Sequence, residues 1–70
     1  MRLRVEIERE LDGRWLAEVL ELPGVMVYAN SQQDALRQVQ ALALQVLADK
    51  LHHGELEPEE SFSFEPVQAA

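Results

Sequence analysis

A chain of 70 residues makes one small domain, too short for a large multi-site enzyme, and a core of that size contributes only about 3–5 kcal/mol. Cysteine is absent, which excludes disulfides, Cys-ligated zinc and iron–sulfur centres and leaves self-association as the natural supplement to the core. The formal charge of −7 comes from 13 acids against 6 bases, and residues 55–70 hold acids and no base. No basic stripe offers itself to phosphates, so direct binding of DNA or RNA is not expected.

Met1-Arg2-Leu3-Arg4 leads straight into strand-like alternation, and no apolar run approaches the roughly 18–20 residues that span a bilayer. A cytoplasmic protein without membrane contact is the expectation. Leu3, Val5 and Ile7 alternate with Arg2, Arg4, Glu6 and Glu8, the period-2 pattern of a half-buried strand. Asp12-Gly13 marks a turn, and residues 14–20 resume with aromatic and branched residues, which predicts a hairpin. A two-residue loop would set Ile7 opposite Glu18. A three-residue loop, Leu11-Asp12-Gly13, pairs Glu10 with Arg14, Val5 with Val19 and Ile7 with Ala17, and gathers Leu3, Val5, Ile7, Trp15, Ala17 and Val19 on one face. The second register is the one expected.

Leu22-Pro23-Gly24 breaks the chain, and Val25-Met26-Val27-Tyr28 follows as a short third strand. Ser31 then opens a helix, with Asp34 expected to reach back toward the cap. Ala35, Leu36, Val39, Leu42, Ala43, Val46, Leu47 and Leu51 recur at three- and four-residue spacing as its buried stripe, and Gly54 ends it. An acidic linker, 55–60, leads to a fourth strand over 61–65 that Pro66 is expected to close. Residues 1–66 thus read as a single domain and 67–70 as a disordered tail. The fold class is α+β, a small βββαβ domain with one long helix on one face of the sheet, joined to the last strand by a right-handed crossover.

Few constellations carry chemistry. His52-His53 lacks a third ligand at a useful spacing, so no metal or cofactor is expected. Glu6, Glu8 and Glu18 share a strand face, but Arg2 and Arg4 interleave with them and predict cross-strand ion pairs on a solvated face. No serine is placed as a nucleophile, and the three glycines are too dispersed for a phosphate loop. Trp15 is assigned to the core. Leu16, Leu20, Met26 and Tyr28 fall on the face that the helix cannot cover, and they predict a contiguous apolar patch, the candidate oligomer or partner interface.

The order and spacing of several motifs resemble the HicB-like antitoxin family: the Asp12-Gly13 turn, the segment Glu21-Leu22-Pro23-Gly24, a capped helix whose first turn carries Asp34-Ala35-Leu36, and Gly54 four residues before Pro58. The resemblance covers about residues 3–65. It departs at Leu20, where that family often has proline, and at Ala29-Asn30, which replace a frequent Gly-Asp. The resemblance implies a partial ribonuclease-H-like fold of the same βββαβ order. It also implies binding rather than catalysis: the chain would neutralise a small basic ribonuclease toxin of HicA type by direct contact. Family members often add a C-terminal DNA-binding domain, which residues 65–70 are too few to supply, so operator binding is not expected of this chain. The alternative is a solitary homologue that serves as a small oligomeric interaction or scaffold protein without a toxin. In either case the marginal core and the uncovered patch predict a homo-oligomer, most simply a two-fold dimer built partly on Leu16, Leu20, Met26 and Tyr28.

Overall fold

The computed structural model describes residues 1–68. The chain runs β1 (Arg2–Arg9), β2 (Trp15–Val19), β3 (Met26–Ala29), α1 (Gln32–His52) and β4 (Ser63–Gln68). The strands form one sheet in the order β3-β2-β1-β4, antiparallel across the first three and parallel between β1 and β4. β3 and β4 therefore run the same way at opposite edges, and α1 carries the chain between them. This is the expected α+β arrangement, a βββαβ domain, 39 × 18 × 17 Å in extent.

The hairpin adopts the three-residue loop. The Glu10 N–H donates to the Arg14 carbonyl at 2.7 Å, and Val5 lies opposite Val19 and Ile7 opposite Ala17. Gly13 takes φ +91°, the left-handed conformation this loop needs and one that side chains with a Cβ resist. Between β2 and β3 the Val25 N–H donates to the Leu22 carbonyl at 3.0 Å, closing a turn with Pro23 and Gly24 at its centre. Val25 belongs to that turn, so the third strand begins one residue later than expected, at Met26. Leu22 and Val25 both turn into the core.

The core lies between the sheet and α1. Leu3, Val5, Ala17 and Val19 from β1 and β2 meet Ala35, Val39, Ala43 and Leu47 from the helix, all at least 98% buried. Two of the four helix positions are alanine, which lets the helix backbone settle close to β2. Trp15, Ile7 and Val27 pack against this cluster while remaining half-buried. Leu51, expected on the buried stripe, is 37% exposed. Each four-residue step turns about 40° past a full revolution, so the row from Ala35 has rotated off the sheet by Leu51.

Ser31 Oγ accepts the Asp34 N–H at 3.1 Å, as expected for the N-cap. The Asp34 carboxylate does not reach back to the cap. It pairs with Arg37 one turn ahead, where a guanidinium offers a stronger partner than a backbone amide. At the other end the Glu55 N–H donates to the Lys50 carbonyl and the Gly54 N–H to the Leu51 carbonyl, the paired bonds of a Schellman motif.

β4 runs past its expected stop. Pro66 lies opposite Val5, and Val67 and Gln68 lie opposite Glu6 and Ile7. The Ser63 N–H donates to the Met1 carbonyl, so the two-residue period aims the N–H groups of Glu65 and Val67 at β1 and that of residue 66 outward. Proline loses no ladder bond there. The expected tail over 67–70 thus gives up two residues to the strand, and 69–70 lie outside the described residues.

Ser31→Ala removes the hydroxyl that accepts the Asp34 N–H at the helix start and is expected to lower stability by about 0.5–2 kcal/mol. Urea denaturation checks this, and an unchanged midpoint would assign the cap elsewhere.

Candidate interaction surface

Register determines what the uncovered face of the sheet presents. Across the strands one row reads Val67, Glu6, Glu18 and Met26, and the next reads Glu8, Leu16 and Tyr28. Leu16 and Tyr28 are direct cross-strand neighbours, and Met26 and Tyr28 are 40% and 46% exposed. Leu16 is half-buried. Leu20 lies beyond the end of β2, where its N–H donates to the Arg4 carbonyl at 3.0 Å. Along β2 Glu18 stands between Leu16 and Leu20, so an acid is interleaved with the apolar residues of this face. Leu16, Met26 and Tyr28 lie together on β2 and β3, and Leu20 follows just past the end of β2.

The arginines do not neutralise this face as expected. Arg2 makes a bidentate pair with Glu65 at 2.9 and 2.7 Å, and Arg4 pairs with Glu21. Glu21 also accepts the Arg4 backbone N–H at 2.7 Å, which ties the β2–β3 loop to β1. Both partners come from outside the hairpin strands. The consequence is that Glu6, Glu8 and Glu18 have no ion-pair partner among the described residues, and Glu6 faces Glu18 directly. Like charges in opposed positions destabilise a sheet, by an amount comparable to the roughly 0.2–1 kcal/mol of a favourable pair.

Arg14 is the one cation near the apolar cluster. Its guanidinium lies 4.4 Å from the centre of the Tyr28 ring while its Nε donates to Asp12 at 2.8 Å. Sequence reasoning missed this contact, although Arg14 and Tyr28 are diagonal neighbours once the β2–β3 register is known. On the other face Arg9 stacks 5.8 Å from the centre of the Trp15 ring. A recess near it is lined by Ile7, Trp15, Gln32, Pro66 and Val67, a lining with no titratable group.

Among the described residues, no group of three or more His, Asp or Glu side chains converges to hold a metal ion. His53 sits at the helix C-cap, with Nδ1 2.8 Å from the Asp49 carbonyl oxygen, a local capping contact. No helix among the described residues is long and apolar enough to cross a membrane. A search of family models, curated proteins and solved structures gave no match to the chain.

The ion pairs set an acid dependence. Hydrogen bonding from Arg4 holds the Glu21 carboxyl below its ordinary value, that from Arg2 does the same for Glu65, and the Arg14 backbone N–H does so for Asp12. The unfolded chain therefore takes up protons from these groups at a higher pH than the folded one. Their stabilisation is present above the ordinary carboxylate range and is lost as pH falls through the depressed values. Urea midpoints are expected to drop between about pH 5 and about pH 3, and to drop less in Glu21→Gln. An identical drop in that variant would remove Glu21 from the account.

Proposed function

We propose that the chain is a protein-binding module of HicB-like antitoxin type, which acts by covering a small basic HicA-type ribonuclease with the uncovered face of its sheet and performs no catalysis of its own. The observation that carries this reading is the unbalanced face itself. Leu16, Met26 and Tyr28 supply apolar contact, and Glu6, Glu8 and Glu18 beside them have no ion-pair partner among the described residues. A cationic partner relieves the Glu6–Glu18 repulsion and buries the apolar cluster in one step. The net charge of −7 adds long-range steering toward such a partner and repels RNA, so the module competes for the toxin rather than for its substrate. The motif order from Asp12-Gly13 to Pro58 supports the same family reading.

Calorimetry with a purified HicA-type ribonuclease, together with an RNA cleavage assay, tests the proposal. Stoichiometric binding and loss of cleavage are expected. Reversing the charge as Glu6→Lys with Glu18→Lys is expected to weaken binding tenfold or more, equivalent to at least about 1.4 kcal/mol, without unfolding the domain. Cleavage that continues unchanged with the wild-type chain in excess would overturn the reading.

The same charge distribution predicts that the chain alone does not retard generic DNA or RNA in a gel shift at micromolar protein and physiological salt. Retardation under those conditions would place a nucleic-acid site on a surface that Arg2 and Arg4 leave masked by acids.

A further inference from the structure

The side of α1 turned away from the sheet is not the charged, solvated surface that an amphipathic helix ordinarily presents. Ala41, Leu44, Ala48 and Leu51 occupy it, all exposed, Leu44 to 51% and Leu51 to 37%. Their spacing of three, four and three residues is that of a coiled-coil seam. Between Arg37 and Asp49 the helix has no charged residue, and its polar positions there are glutamines. Arg37 continues the seam one step toward the N-terminus, and the helix ends at His52, one residue past Leu51.

We propose that this stripe is the interface with a second copy of the same chain, the two helices packing antiparallel. Orientation follows from the order of the side chains. In an antiparallel pair centred between Leu44 and Ala48, Leu44 meets the partner's Ala48 and Ala41 meets the partner's Leu51, while Arg37 lies toward the C-terminal end of the partner's helix. Every layer sets large against small. A parallel pair would stack leucine on leucine and alanine on alanine, alternately crowding and emptying the seam, and would bring the two Arg37 side chains together. Arg37 is 72% exposed at its side chain and its link to Asp34 lies on its own helix, so it remains available to the partner chain. The seam is short, about 13 residues of overlap or roughly 18 Å at 1.5 Å per residue, which places it at the small end of specific interfaces. The dimer is accordingly concentration-dependent. It leaves the uncovered sheet face free, and so stands or falls separately from the antitoxin reading.

Sedimentation equilibrium from low to high micromolar concentration tests the interface. The wild type is expected to pass from monomer to dimer, Leu44→Glu to remain monomeric throughout, and Leu16→Glu, on the sheet face, to dimerise as the wild type does. Leu44 is exposed in the monomer, so circular dichroism of Leu44→Glu is expected to show an intact fold. A wild type that stays monomeric at every concentration overturns the proposal, as does a Leu44→Glu variant that still dimerises. Orientation has its own test because the chain contains no cysteine. Mixing Ala41→Cys with Leu51→Cys under oxidising conditions is expected to give the mixed disulfide in excess over either self-linked product. Self-linked Ala41→Cys as the main product overturns the antiparallel arrangement.

Discussion

Everything in this fold depends on the pairing of Val5 with Val19 across the first hairpin. Side chains alternate along a strand, so a shift of one residue in that register would exchange the two faces of β2 and send Ala17 and Val19 to solvent. Gly13 holds the register, because its left-handed φ accommodates the extra loop residue. β3 inherits its parity from β2 and β4 from β1, so one turn decides the composition of both faces of a four-stranded sheet.

Given that sheet, the helix can cover only part of one side. α1 packs over β2 and β3 and less over β1, and the margin near β4 is filled by Phe62, Phe64 and Leu56. These are side chains of the strand, its approach and the linker rather than of a second helix. The fold is thus a single layer of helix on a single sheet, and its opposite face has no covering element among the described residues. A domain of this size has little stability to spare, and on that face the register sets Glu6 opposite Glu18.

Much of this was legible in the sequence, for identifiable reasons. The hairpin register could be chosen because only one of two registers put Val5, Ile7, Ala17 and Val19 together, and the helix could be bounded because Ser31 and Gly54 are residues with specific roles at its ends. Misreadings arose where a local rule met a tertiary contact. A proline ordinarily closes a strand, yet on the edge strand β4 the missing N–H of Pro66 points away from the ladder. Alternation pairs the arginines of β1 with acids on neighbouring strand positions, whereas in the fold Arg2 pairs with Glu65 on β4 and Arg4 with Glu21 in a loop. Neither could be found by alternation, because β4 had no assigned neighbour and loops have no period. For the same reason the residues of the candidate face were identified but its character was not: the apolar members were legible from parity, and the uncompensated acids among them became visible only once the arginines were placed elsewhere.

The two unusual surfaces lie on opposite sides of the molecule, and that separation has a mechanical consequence. α1 screens one face of the sheet, so helices paired back to back direct the two acidic sheet faces outward, away from each other. Each face then keeps its own approach path, and the negative fields of the two copies reinforce at long range without opposing contact at the seam, whose centre is uncharged. In the proposed dimer, a contact through the helix would offset stability lost to like charges on the sheet face.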